Sequence, residues 1–143
     1  MDLEDVKEKL LSIHSAGFEP DWYLLPWFNP AVCKFYLEHA VEVIPTSIRW
    51  GNGKPFQCHW NSLEYATEHP GATPWFGFQY LQWASLNGEP IEASWELHSW
   101  VVEVDGSIID SGQYEPAATR YVGVPWSWAL HDLIAASGEQ PME

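Results

Sequence analysis

The stretch Leu97-His98-Ser99-Trp100-Val101-Val102-Glu103-Val104-Asp105-Gly106-Ser107-Ile108-Ile109-Asp110 decides how this chain folds. Polar and apolar residues partly alternate up to Val104, the pattern of a half-buried strand; Asp105-Gly106 is a hairpin signal, and Ile108-Ile109 continues as the returning strand. The length of the turn sets what faces what. If Val104-Asp105-Gly106 is a three-residue loop with Gly106 in the left-handed conformation, Glu103 faces Ser107 and Trp100 faces Asp110. Side chains repeat on one strand face every two residues, so His98 shares the Trp100 face and Asp110 becomes its diagonal neighbour. A two-residue loop at Asp105-Gly106 puts Asp110 opposite Val101 and turns it away from His98.

Outward from this hairpin, Trp75 to Trp83 is aromatic and strand-like, Asn87-Gly88 marks a turn, and Trp95 to Val104 is the strand just described. Tyr121 to Val124 reads as one more strand, followed by Pro125 at the start of a short helix that holds Trp126, Leu130, Leu133 and Ile134 and stops at Gly138. Towards the N-terminus, Gly51-Asn52-Gly53-Lys54-Pro55 is a loop signal that leads into the apolar-periodic stretch Cys58 to Glu68, terminated by Pro70-Gly71. Asn29-Pro30 is an N-cap and first helical residue, and Val32, Phe35, Tyr36, Ala40 and Val43 extend that helix to Pro45, with Cys33 in its core face. Leu3, Val6, Leu10 and Ile13 form a one-sided helical stripe that ends near Gly17. Helices come first and strands later, which predicts an α+β fold with a small antiparallel sheet. The expected organisation is a single domain over 1–143: a helical N-terminal part over 1–50, a core over 51–124, a C-terminal helix over 125–138 and a tail over 139–143.

Three residue types needed for thiol catalysis occur in order within this core. Cys58 opens a helix, where unpaired amide N–H groups and the positive end of the dipole favour a thiolate. His98 can take or share its proton, and Asp110 can fix the tautomer and orientation of the imidazole. The stretches Gln57-Cys58-His59-Trp60-Asn61-Ser62, Trp75-Phe76-Gly77-Phe78, Leu97-His98-Ser99-Trp100-Val101 and Asp105-Gly106-Ser107-Ile108-Ile109-Asp110 resemble the core of the papain-like superfamily, closest to its transglutaminase-like and arylamine-acetyltransferase-like branches. The resemblance covers about residues 50–112. It implies a Cys-led helix on an antiparallel sheet and a thiol hydrolase or acyl transferase acting on an amide bond of a peptide or protein. Cys58 is then the nucleophile, His98 the base and Asp110 the orienting acid. The resemblance also implies an oxyanion hole from the Cys58 backbone N–H and an upstream amide, Asn52 at the familiar spacing or the adjacent Gln57.

Composition limits the partners. The 143 residues carry 20 Asp+Glu and 6 Lys+Arg, a formal charge of −14, and no Lys or Arg lies between Pro55 and Thr119. Such a field argues against binding phosphate backbones and favours a basic peptide or protein surface, so no nucleic acid partner is expected. No apolar run approaches the length of a membrane span, and the acidic residues after Met1 have the wrong charge for a signal peptide, which predicts a cytoplasmic protein with no membrane partner. No metal and no cofactor is expected: Cys58, His59, His69, His98 and Asp110 are possible ligands, but no CxxC or HExxH spacing occurs. His59, about 100° round the helix from Cys58, is expected at the surface. Of the ten tryptophans, Trp60, Trp75 and Trp100 are candidates for a substrate groove beside Cys58, with Trp83 and Trp95 in the same aromatic group. The competing reading is a non-catalytic acidic protein that blocks a basic surface, of inhibitor, immunity or nucleic-acid-mimic type, on a degenerate version of the same scaffold.

Overall fold

The computed structural model describes residues 8–9, 11–12, 14, 30–51, 58–112, 116 and 118–135. Three helices and six strands follow in chain order: α1 (Pro30–His39), β1 (Val41–Val43), β2 (Ile48–Trp50), α2 (Cys58–Glu68), β3 (Thr73–Ala84), β4 (Pro90–Val102), β5 (Ile108–Asp110), β6 (Ala118–Pro125) and α3 (Trp128–Ala135). Further upstream, Glu8, Lys9, Leu11, Ser12 and His14 are helical, within the stripe read from the sequence. The strands form one sheet in the order β1-β6-β3-β4-β5-β2. The class is α+β.

Three sequence expectations need correction here. The sheet is mixed, because β2 runs parallel to β5, pairing Ile48 with Ile108 and Trp50 with Asp110. No local pattern announces a pairing between segments so far apart in the chain. The helix expected to continue to Val43 ends at His39, where the Ala40 N–H makes a last turn to the Tyr36 carbonyl at 2.8 Å. Val41 and Val43 are β-branched and alternate about Glu42; with a sheet edge available they pair with Gly123 and Tyr121 of β6. Residues 1–50 are therefore not wholly helical. Likewise Pro125 closes β6 opposite Trp75 instead of opening the last helix. Ser127 caps that helix, its Oγ accepting from the Leu130 N–H at 3.2 Å. Gly138 and the tail lie outside the described residues.

The chain itself forces the sheet to curl. Only Ile44 to Ser47 separate the two edge strands β1 and β2. Five residue steps reach about 18 Å at most, whereas the edges of a flat six-stranded sheet stand about 24 Å apart. One face closes on itself: Trp100, Ile108 and Tyr121 are fully buried there, packed by Val43 and Ile48 from the two opposite edges and by Trp75 and Val102. The connector is pinned to the β4–β5 turn, with the Thr46 N–H on the Gly106 carbonyl at 3.1 Å and the Ile108 N–H on the Ser47 carbonyl at 2.9 Å. The other face carries Phe76, Phe78, Trp95, Val122 and Val124, which pack against Val32 and Tyr36 of α1 and Leu130 of α3. Fully burying each such side chain stabilises the fold by about 1.5–3 kcal/mol.

Gly77 sits at the middle of the sheet, between His98 of β4 and Gly123 of β6. A Cβ on Gly77 would overlap the Val122 carbonyl oxygen, and one on Gly123 would stand 2.8 Å from Cη2 of Trp100. Gly123 therefore makes room for the Trp100 ring inside the curl, and Gly77 for the close approach of the β6 backbone.

Candidate active site

Helix α2 presents Cys58 at its first position. The thiol is free and 8% exposed. Ser62, one turn on and 4% exposed, donates its hydroxyl to the Cys58 carbonyl at 2.8 Å, which ties the first turn together. The helix gives way after Glu68 to a turn in which Gly71 takes a φ of +92° and the Ala72 N–H reaches the His69 carbonyl at 3.1 Å.

The β4–β5 hairpin takes the three-residue turn. Val102 pairs with Ile108 and Val101 with Ile109, the Glu103 N–H donates to the Ser107 carbonyl at 2.8 Å, and Gly106 has a φ of +86°. Asp105 holds the turn through its Oδ1, which accepts from the Ser107 N–H at 2.9 Å and from the Ser107 hydroxyl at 2.7 Å. Asp110 consequently falls on the His98 side, and His98 Nε2 lies 3.0 Å from Asp110 Oδ1. With Nε2 on the carboxylate, Nδ1 is the ring nitrogen left to face Cys58, which helps to raise the His98 pKa.

The electrostatics follow from these contacts. Burial of His98 disfavours its charged form, but the Asp110 carboxylate, by charge and by hydrogen bond, and then Cys58 outweigh it and hold the imidazole well above its usual value. Asp110 is fully buried, which by itself would raise its pKa; the charge and hydrogen bond of His98, then Tyr121 and the Gly112 N–H, reverse the sign and lower it. Four donors converge on this carboxylate: His98, the Gly112 N–H at 2.8 Å, Gln79 Nε2 at 2.9 Å and the Tyr121 hydroxyl at 2.6 Å. Gln79 Nε2 also reaches the Tyr121 oxygen at 3.2 Å. Burial first, and then the Asp110 charge, push the Tyr121 phenol strongly upward, so it stays a donor.

Gln79 and Tyr121 were not legible as site residues. Gln79 is one polar residue in an aromatic strand and Tyr121 reads as strand core; the available signal is that Gln79 breaks the apolar run between Phe78 and Leu81 at an inward-facing position. Their convergence requires β3, β5 and β6 to be neighbours through the curl.

Other expected residues fall elsewhere. His59 is not at the surface: it is 5% exposed, its Nδ1 lies 3.2 Å from Ser99 Oγ and its ring packs edge-on against Trp126. The reason is that α2 lies on β4, so the face next to Cys58 turns into the protein. Burial, with His131 nearby, lowers its pKa to about 4. Trp100 is fully buried and so serves the core and not a groove, while Trp75 is half-buried and packs beside it in the curl. Trp60 remains 49% exposed on α2. Asn52, Gln57 and the side chain of Cys33 lie outside the described residues. A cavity does exist beside the site, between α2 and the β2 edge, but Trp50 and Tyr65 supply its aromatic walls. Among the described residues, no three His, Cys, Asp or Glu side chains form a group that could hold a metal ion, and no helix is long and apolar enough to cross a membrane.

The chain was compared with protein families, curated proteins and solved structures, and no family model, curated protein or solved structure matches it.

Proposed function

We propose that this chain is a thiol hydrolase or acyl transferase of papain-like or transglutaminase-like type, acting on an amide bond of a peptide or protein through Cys58, His98 and Asp110. The observation that carries the reading is the grouping of a helix-start thiol, an imidazole and a buried carboxylate, with the His98–Asp110 contact at 3.0 Å and Cys58 among the groups that raise the His98 pKa. In the proposed cycle His98, held charged beside Asp110, already carries the Cys58 proton on Nδ1, and the sulfur attacks the carbonyl carbon as a thiolate. The C–N bond then breaks, the amine leaves with that proton, and a thioester remains on Cys58. Water, or an acceptor amine, loses a proton to the neutral His98 ring and attacks the thioester; the sulfur leaves as a thiolate and the proton stays on His98 Nδ1, which restores the resting pair. Asp110 holds Nε2 throughout, and Gln79 and Tyr121 hold Asp110, so the carboxylate keeps its charge and direction while the ring cycles.

The test needs no substrate. Iodoacetamide labelling of Cys58, mapped by peptide mass and followed against pH, should show in the wild type a low-pH component that His98→Ala lacks, with labelling at pH 6 slowed about tenfold or more in the variant. Superimposable profiles for the two proteins would sink the enzyme reading and leave a non-catalytic acidic binding protein as the better account.

A further inference from the structure

The cavity between α2 and the β2 edge has a volume of about 410 Å³, the size of a specific ligand site. Val101 and Ile109 give it an aliphatic side, and Trp50 and Tyr65 give it aromatic walls. Glu64 and Glu68 also line it; they are one turn apart on α2, both exposed, and neither forms an ion pair among the described residues. Arg49 lines it too, but its Nη2 donates to the Tyr65 hydroxyl at 3.3 Å, and that hydroxyl donates to Glu103 at 2.6 Å. The same guanidinium also acts on Asp105. Like Glu64 and Glu68, Arg49 forms no ion pair among the described residues, so the lining carries two carboxylates against one guanidinium, and that guanidinium is turned to the Tyr65 hydroxyl. Ser111, next to Asp110, lines the cavity with a buried Oγ that has no hydrogen-bond partner among the described residues.

A cavity with aliphatic and aromatic walls and a net negative lining suits a side chain with an aliphatic stem and a cationic head. Glu64 lies six residues beyond Cys58, about 9 Å along the helix, which an extended peptide covers in roughly two to three residues. We propose that this cavity is the subsite for a lysine or arginine side chain of the substrate, two or three residues from the reacting carbonyl. The inference rests on the thiol-enzyme reading above and adds the substrate class to it.

Two tripeptide chloromethyl ketones, identical except for lysine or norleucine at the second or third residue from the reactive group, test it directly. Each alkylates the Cys58 sulfur and releases chloride. The lysine reagent should label the wild type about tenfold faster at low salt, and this ratio should shrink at high salt. In the double variant Glu64→Gln, Glu68→Gln the ratio should fall to about one while the iodoacetamide rate stays as in the wild type. A ratio near one in the wild type at both positions, or a lysine preference that survives the double substitution, overturns the subsite. Absence of His98 dependence in the iodoacetamide control overturns the thiol-enzyme reading itself, and the subsite with it.

Discussion

His98 and His59 sit against opposite faces of the same strand and have opposite charge behaviour. His98 belongs to β4, and its neighbour Ser99, whose side chain leaves the other face, takes His59 from α2. Both rings are largely removed from water, with 13% of the His98 side chain and 5% of His59 exposed. Burial therefore does not distinguish them. The difference is the partner: His98 meets a buried carboxylate and is held charged, whereas His59 meets a hydroxyl and an indole and is held neutral down to about pH 4. One ring is equipped to hold and return a proton at neutral pH, and the other is a packing element.

The largest expected effect comes from making His98 resemble His59. Asp110→Asn removes the counter-charge while keeping the shape and breaks the buried pair; the variant should lose about 3–5 kcal/mol of stability at pH 7 in urea unfolding. In NMR titration its His98 should fall well below the wild-type value, because burial is then opposed by Cys58 without the carboxylate. An unchanged His98 titration would show that the carboxylate is not what raises it. The pH dependence has two edges. The raised His98 means that the pair contributes fully below about pH 6.5, where unfolded histidine is charged, and less as pH climbs through the higher folded value. The lowered Asp110 means that the contribution holds above about pH 4 and is lost as pH falls through the still lower folded value.

His59 gives the next largest effect, with the sign reversed. Its folded pKa of about 4 lies below that of the unfolded chain, so unfolding takes up a proton as pH drops through that window. Full stability is present above about pH 6.5, and about 2–3 kcal/mol should be lost between pH 7 and 4.5. His59→Asn offers an amide to Ser99 without a titrating ring, and its stability should fall measurably less over the same interval. Equal slopes for the two proteins would mean that another group governs the acid response.

The smallest effect is Tyr121→Phe. It deletes one of the four donors on Asp110 and leaves the ring packed in the curl, so about 1–2 kcal/mol should be lost. The Asp110 carboxyl should also titrate at a higher pH, since a hydrogen bond to its charged form is gone. Loss without that shift would confine Tyr121 to packing.

Much of this arrangement could be read from the sequence. The Cys58 helix, the two long strands and the fork between a two- and a three-residue turn are local matters, set by periodicity and by a glycine able to take positive φ at Gly106. Once the turn has three residues, the proximity of His98 and Asp110 follows from strand geometry alone. Charge likewise needs no structure: the absence of cations from Pro55 to Thr119 is a property of the chain.

What only the tertiary structure decided is everything that depends on strands meeting across distance. The parallel β2–β5 pairing, the curl closed by a four-residue connector, and the burial of Trp100 all arise from contacts between segments with no shared local pattern. The same holds for Gln79 and Tyr121, which reach Asp110 because β3 and β6 curl towards β5, and for His59, turned inward because α2 lies on β4. Sequence patterning determines which face of a strand or helix is apolar; which polar side chains share an enclosed face, and so whose charge is stabilised, is determined by packing.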